Sequence, residues 1–148
     1  MVDDREKIAF TGDFLLKDIS SNPLAQRPSK LPAGYRSLEA YASSLRRVAA
    51  MGLALALPGH GEMMRNPRKR VAALLGFMNA RTGQVADIFG TRPDLTIYEI
   101  VEEVFPGLPR DEIFLAVSEV FAHLDLLEGN GIVLRTDEGI PSRYTLCR

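Results

Sequence analysis

Apolar residues along this chain fall into short blocks separated by turn-forming clusters, and the spacing inside the blocks differs from one to the next. Ile8, Ala9 and Phe10 form a strand-like run after the polar stretch Asp3–Lys7, and the run ends at Thr11-Gly12-Asp13. Phe14-Leu-Leu16 is a second apolar patch. Residues 18–36 then carry Ser20, Ser21, Asn22, Pro23, Pro28, Pro32 and Gly34 and read as a long loop. From Leu38 the spacing becomes helical: Leu38, Tyr41, Leu45, Val48 and Ala49 repeat on one face. Ser37 is placed to cap this helix and Gly52 to end it, so a helix is predicted over 38–51.

A short buried strand over 53–57 follows, closed by Pro58-Gly-His-Gly61. Asn66-Pro67 is a second helix start, for a helix over 67–88 that buries Val71, Leu74, Leu75 and Met78 and is expected to bridge two parts of the molecule. Thr96 caps a short helix carrying Ile97, Ile100, Val101, Val104 and Phe105, which Pro106-Gly-Leu-Pro109 ends. A longer helix over 111–128 is expected to bury Ile113, Phe114, Val117, Val120, Phe121, Leu124 and Leu127. Residues 131–134 and 143–146 read as a hairpin around the polar loop 136–142. Three helices followed by a hairpin is the winged-helix arrangement.

Charge supports the same division. Residues 1–78 hold 12 Lys/Arg and 7 Asp/Glu, whereas residues 79–148 hold 6 and 12. With 46% hydrophobic and 25% charged residues, the 148-residue chain has the composition of a globular protein. Its one cysteine, Cys147, excludes an internal disulfide and a cysteine-rich metal site and fits a reducing cytoplasm. The apolar run Met51–Leu57 is too short to span a bilayer, and the acidic start Asp3, Asp4, Glu6 does not resemble a secretory signal.

Two segments carry candidate chemistry. Phe10-Thr-Gly-Asp13 puts a carboxylate at a strand end, and Leu57-Pro-Gly-His-Gly61 puts an imidazole in a Gly/Pro loop after a strand. Strand ends that feed loops are where α/β folds place ligands. Asp and His together suit zinc or another divalent metal. By spacing alone, a turn-forming Asp and a hydrogen-bonded His are the usual account of such a pair, and metal binding the minority one.

Ala9-Phe-Thr-Gly-Asp-Phe-Leu-Leu16, Ile19-Ser-Ser-Asn-Pro23, Gly34-Tyr-Arg-Ser-Leu-Glu-Ala-Tyr41 and Leu57-Pro-Gly-His-Gly61 together resemble the second half of metallo-β-lactamase-fold hydrolases. The resemblance is to the branch that includes β-lactamase-like protein 2 and glyoxalase-II-like hydrolases, whose members often end in a winged helix. It implies an α/β partial metallo-β-lactamase fold, an incomplete αββα sandwich, over residues 1–65. A mainly α winged-helix domain, including the bridging helix, would follow over 66–148. It also implies that Asp13 and His60 are metal ligands: the matching aspartate bridges two metals and the matching histidine ligates the second. The implied cofactor is zinc or another divalent metal, and the implied substrate is a small ester, thioester or phosphoester.

The family's His-x-His-x-Asp-His motif has no counterpart here, since His60 and His123 are the only histidines. His123, in an apolar helix, reads as a packing or surface residue. A catalytic zinc needs about three protein ligands plus water, so two donors cannot assemble the site and no catalytic residue is assigned. The expectation is a partial hydrolase, inactive alone, that is either a fragment or a half that works with a partner chain, a missing N-terminal half or a second copy. A non-catalytic interaction or dimerisation module is the alternative, and a DNA-binding regulator a minor one. The helix over 111–128 has Asp111, Glu112, Glu119, Asp125 and Glu128 and no Lys or Arg, which repels nucleic acid. Arg65, Arg68, Lys69 and Arg70 form the one basic cluster; it reads first as a solvated helix face, and second as a patch for an anionic substrate or RNA.

Overall fold

The computed structural model describes residues 1–21, 34–137 and 139–147. Most of the predicted loop over 18–36, including its three prolines, lies outside them, as does Glu138 of the hairpin loop. The chain divides into two compact units. One is made of 1–21 with 41–78; the described part of the other is 34–40 with the residues from 79 onward.

The first unit is built on a four-stranded sheet in the order β1 (Val2–Asp3), β2 (Ile8–Gly12), β3 (Leu55–Pro58), β4 (Met64–Arg65). β2 and β3 run parallel, with Ala9 opposite Ala56 and Phe10 opposite Leu57; the two outer pairings are antiparallel. A parallel pair cannot be closed by a tight turn and needs a crossover, and here the connection contains helix α1 (Ser37–Ala50). Gly52, at φ +63, takes the left-handed conformation that stops it. β1 and β4 have only two residues each, too few for any alternation to be read from the sequence. Helix α2 (Arg68–Ile88) begins in this unit, after Asn66. Asn66 sits at φ +48 rather than in the extended backbone of an ordinary N-cap.

The core of this unit holds Leu15, Leu45, Ala56, Met64, Val71 and Leu74, all buried, with Phe14, Tyr41, Val48, Leu75 and Met78 packed against them. The apolar patch Phe14-Leu-Leu16 is therefore not a strand but an anchor: Leu15 is wholly inaccessible while its backbone is irregular.

The second unit contains the end of α2, β5 (Leu95–Thr96), α3 (Ile97–Val104), a 3₁₀ turn at Arg110–Glu112, α4 (Ile113–Gly129), and the hairpin β6 (Val133–Asp137) and β7 (Arg143–Leu146). Its sheet order is β5-β7-β6, all antiparallel. The β5 strand was not expected from the sequence. The Thr96 cap was: its hydroxyl accepts from the Glu99 amide, and the Glu99 carboxylate accepts from the Thr96 amide at 2.8 Å. Ile97, Ile100, Val101 and Val104 pack into one core with Val120, Leu124, Leu127, Val133 and Tyr144.

One part of the predicted core is corrected. Ile113 and Phe114 are exposed, Phe114 at 70% of its surface, and so is Leu115. The buried stripe of α4 runs instead through Ala116, Val120, His123, Leu124 and Leu127. At the start of the helix the apolar residues are consecutive, so helical spacing alone cannot choose the inward face.

Candidate metal centre

Asp13 and His60 are 47 residues apart, yet His60 Nδ1 lies 2.8 Å from Asp13 Oδ1. They meet because β2 and β3 are parallel neighbours that end at the same level. Between Phe10 and Gly12 the pairing shifts register, so that two steps on β2 face one step on β3. A local bulge of this kind re-aims the residues that follow it. Gly12, at φ +51, turns the chain, and the Phe14 amide donates to the Thr11 carbonyl at 3.1 Å to close the turn around Asp13. The Thr11 hydroxyl donates to the Leu15 carbonyl at 3.1 Å.

On the other strand, the Gly59 amide donates to the Gly12 carbonyl at 3.0 Å, which extends the ladder into the loops. A Cβ at Gly59 would stand 2.9 Å from Asp13 Oδ1, so the glycine is what lets the carboxylate come so close. Gly61, at φ +77, turns the chain away after His60.

The loop after Asp13 is pinned from several sides. Leu15 is buried. The Tyr41 hydroxyl donates to the Phe14 carbonyl at 2.9 Å, and the two rings meet edge to face at 5.2 Å. Burial pushes the Tyr41 hydroxyl above its ordinary value, a shift that hydrogen bonding to Ser21 and the Arg70 charge offset in part. Arg70 Nε and Nη2 donate to the carbonyls of Leu16 and Ile19, each at 2.9 Å. Arg70 is half-buried, so the basic cluster is not simply a solvated helix face. Lys17 pairs with Glu62, two residues beyond His60; their hydrogen bond raises the lysine and lowers the glutamate.

The Asp13–His60 pair itself is open to solvent, with the side chains 68% and 78% exposed. An ionised carboxylate can only accept, so Nδ1 is the donor in this contact, and in the neutral imidazole Nε2 then keeps its lone pair. That is the tautomer in which an imidazole can ligate a metal through Nε2 while a carboxylate orients it. No group of three or more His, Cys, Asp or Glu side chains that could hold a metal occurs among the described residues. Two donors fall short of the three that a catalytic zinc ordinarily takes from protein.

His123 does not join them. It lies in the second unit, 2% exposed, and shares a 2.8 Å hydrogen bond with Thr82 Oγ1. Burial, aided by the Arg81 charge, holds it down to about 4, so it is a neutral packing residue at ordinary pH.

No protein-family model matches the chain. A probable metallo-hydrolase of Bacillus subtilis (strain 168), YqjP, is 30% identical to it over 128 residues, which are 86% of this chain and 40% of that protein. A β-lactamase domain protein from Burkholderia ambifaria, solved by crystallography, matches 98% of this chain and 43% of its own, with a TM-score of 0.83 and 28% identity. A metallo-β-lactamase family protein from Thermus thermophilus, also a crystal structure, matches 97% of this chain and 43% of its own, with a TM-score of 0.77 and 26% identity. The chain is thus similar in fold and sequence to part of these metallo-β-lactamase-type proteins and spans about two fifths of the length of the relatives it matches. No helix among the described residues is long and apolar enough to cross a membrane.

Proposed function

We propose that this chain supplies the aspartate and histidine arm of a cytoplasmic metal-dependent hydrolase, in the branch of β-lactamase-like protein 2 and the glyoxalase-II-like enzymes, and that it is inactive alone. The observation that carries this reading is the 2.8 Å contact between Asp13 and His60 at the matched ends of two parallel strands. Such strand ends are where this class of sheet presents ligands. Zinc, or another divalent metal, would be held by Asp13 and His60 together with donors from outside this chain. When bound, the metal supplies water activation and polarisation of an ester, thioester or phosphoester. The chain's own part is to hold one carboxylate and one Nε2 lone pair in fixed register. With two donors the residues present do not complete that site, so no catalytic step is assigned to them.

The order helix, strand, helix, helix, hairpin in the second unit supports reading residues 66–148 as a winged-helix domain. Its α4 carries no Lys or Arg, which argues against duplex DNA as its partner.

The test is a chimera joining this chain to the stretch of the Bacillus relative outside the matched region. Metal-dependent hydrolysis of a small ester, thioester or phosphoester panel is expected, and its loss in Asp13→Asn and His60→Gln. A chimera that turns over equally well with both substitutions would overturn the reading.

A second reading is favoured by one observation. Ile113, Phe114 and Leu115 are exposed in succession at the start of α4, as an interaction module would have them. If that reading holds, Phe114→Glu will abolish any self-association seen by sedimentation; a strict monomer at all concentrations would count against a dimer.

A further inference from the structure

A concave site of about 400 Å³ opens beside the loop that follows His60, lined by Lys17, Met63, Met64, Arg65, Lys69 and Arg70 together with the Asn66-Pro67 turn and Ala73. It lies within the first unit, and its walls start close to the Asp13–His60 pair. Met63 is three residues beyond His60, hence within about 11 Å of it along the chain, and Lys17 is four beyond Asp13.

The charge in this cavity is unbalanced. Four of the lining side chains are cationic and none is acidic. Glu62 neutralises only Lys17. Arg70 is held rigidly, but by the neutral carbonyls of Leu16 and Ile19, which leave its charge uncompensated. Arg65 and Lys69 are exposed and have no acidic partner among the described residues. The first turn of α2, which forms one wall, has no acidic residue either, although acids are what that end of a helix favours. Side chains of one sign gathered in a concavity repel one another, and an anion with several oxygens relieves the repulsion of all of them at once. Guanidinium and ammonium groups together suit a phosphate: Arg matches two of its oxygens, and Lys acts as a point charge. The remaining wall, Met63, Met64 and Ala73, is apolar and adaptable, suited to an organic group beside the anion.

We infer that this cavity binds the phosphate group of a small organic molecule, with Arg65, Lys69 and Arg70 on the phosphate and the methionines on the organic part. The inference rests on the cavity alone and needs no metal at Asp13 and His60.

Phenyl phosphate is the probe, titrated into the ¹⁵N-labelled full chain at fixed ionic strength, with inorganic phosphate and chloride in parallel arms. Saturable shifts at the Arg65 and Lys69 amides are expected with phenyl phosphate, weaker ones with inorganic phosphate, and none that saturate with chloride. Arg65→Gln and Lys69→Gln, both at exposed positions, should each weaken phenyl phosphate by about tenfold. His60→Ala should not change it, which separates this site from the metal reading. Shifts that chloride reproduces, an absence of saturation, or an affinity unchanged in both Gln variants would overturn the inference.

Discussion

The Gly59 amide donates to the Gly12 carbonyl at 3.0 Å, and this bond carries the β2–β3 ladder one step past the end of β3, to the residues before Asp13 and His60. The meeting of carboxylate and imidazole is thus a consequence of strand pairing rather than of side-chain attraction. Exposed ion pairs contribute little by themselves.

Gly59→Ala tests that dependence. The new methyl would stand 2.9 Å from Asp13 Oδ1, too close for both to stay, and the carboxylate is the mobile partner. The backbone of residue 59 tolerates alanine, so folding stability should change by less than about 1 kcal/mol. The fraction of His60 with its proton on Nδ1 should fall, as read from the imidazole nitrogen shifts. An unchanged tautomer would show that Asp13 does not set it.

The α3 cap gives a second expectation. Thr96→Ala removes the hydroxyl that accepts from the Glu99 amide and should cost about 1 kcal/mol in urea unfolding. The hydrogen bonds from Thr96 hold the Glu99 carboxyl below its usual range. Its stabilising effect is therefore present above the unfolded value and fades as pH falls through the folded one. In Thr96→Ala this acid-side loss should shrink, and an identical acid limb in both proteins would contradict the assignment.

His123 makes stability depend on pH in a different window. Burial lowers it from 6.5 to about 4, so between those values the unfolded chain binds a proton that the folded chain does not. Stability from this residue is complete above pH 6.5 and is lost as pH falls towards 4, by at most about 3 kcal/mol. Glu119, one helical turn earlier and paired with Arg81, is raised by burial and has the opposite sign, gaining stability as pH falls from above its raised value. The comparison that isolates the histidine is His123→Gln. Between about pH 6.5 and 5 the wild type should lose stability relative to this variant, and parallel curves would contradict the account.

Much of this was legible in the sequence, for identifiable reasons. The runs Ile8–Phe10 and Leu53–Leu57, each followed by glycine, marked the two strands that carry the site, although β3 starts at Leu55. Thr96 marked the start of α3, whereas its reciprocal partner Glu99 emerges only in the structure. The contact of Asp13 with His60 was not readable from spacing, because it depends on parallel pairing across 47 residues and on the register shift after Phe10. Arg70 sits among other basic residues, and nothing in that pattern says that it alone turns inward to carbonyls. The strands β1, β4 and β5 have two residues each and depend on their partners rather than on any periodicity of their own.

On the proposed reading, the described residues bring two metal donors, Asp13 and His60, too few to complete a catalytic site. Isothermal titration of zinc into the isolated chain, beside Asp13→Ala and His60→Ala, addresses it most directly. The account predicts weak binding, with a dissociation constant of roughly 10 μM or more, that either substitution abolishes. Two zinc ions held tightly per chain, or binding that survives both substitutions, would contradict it.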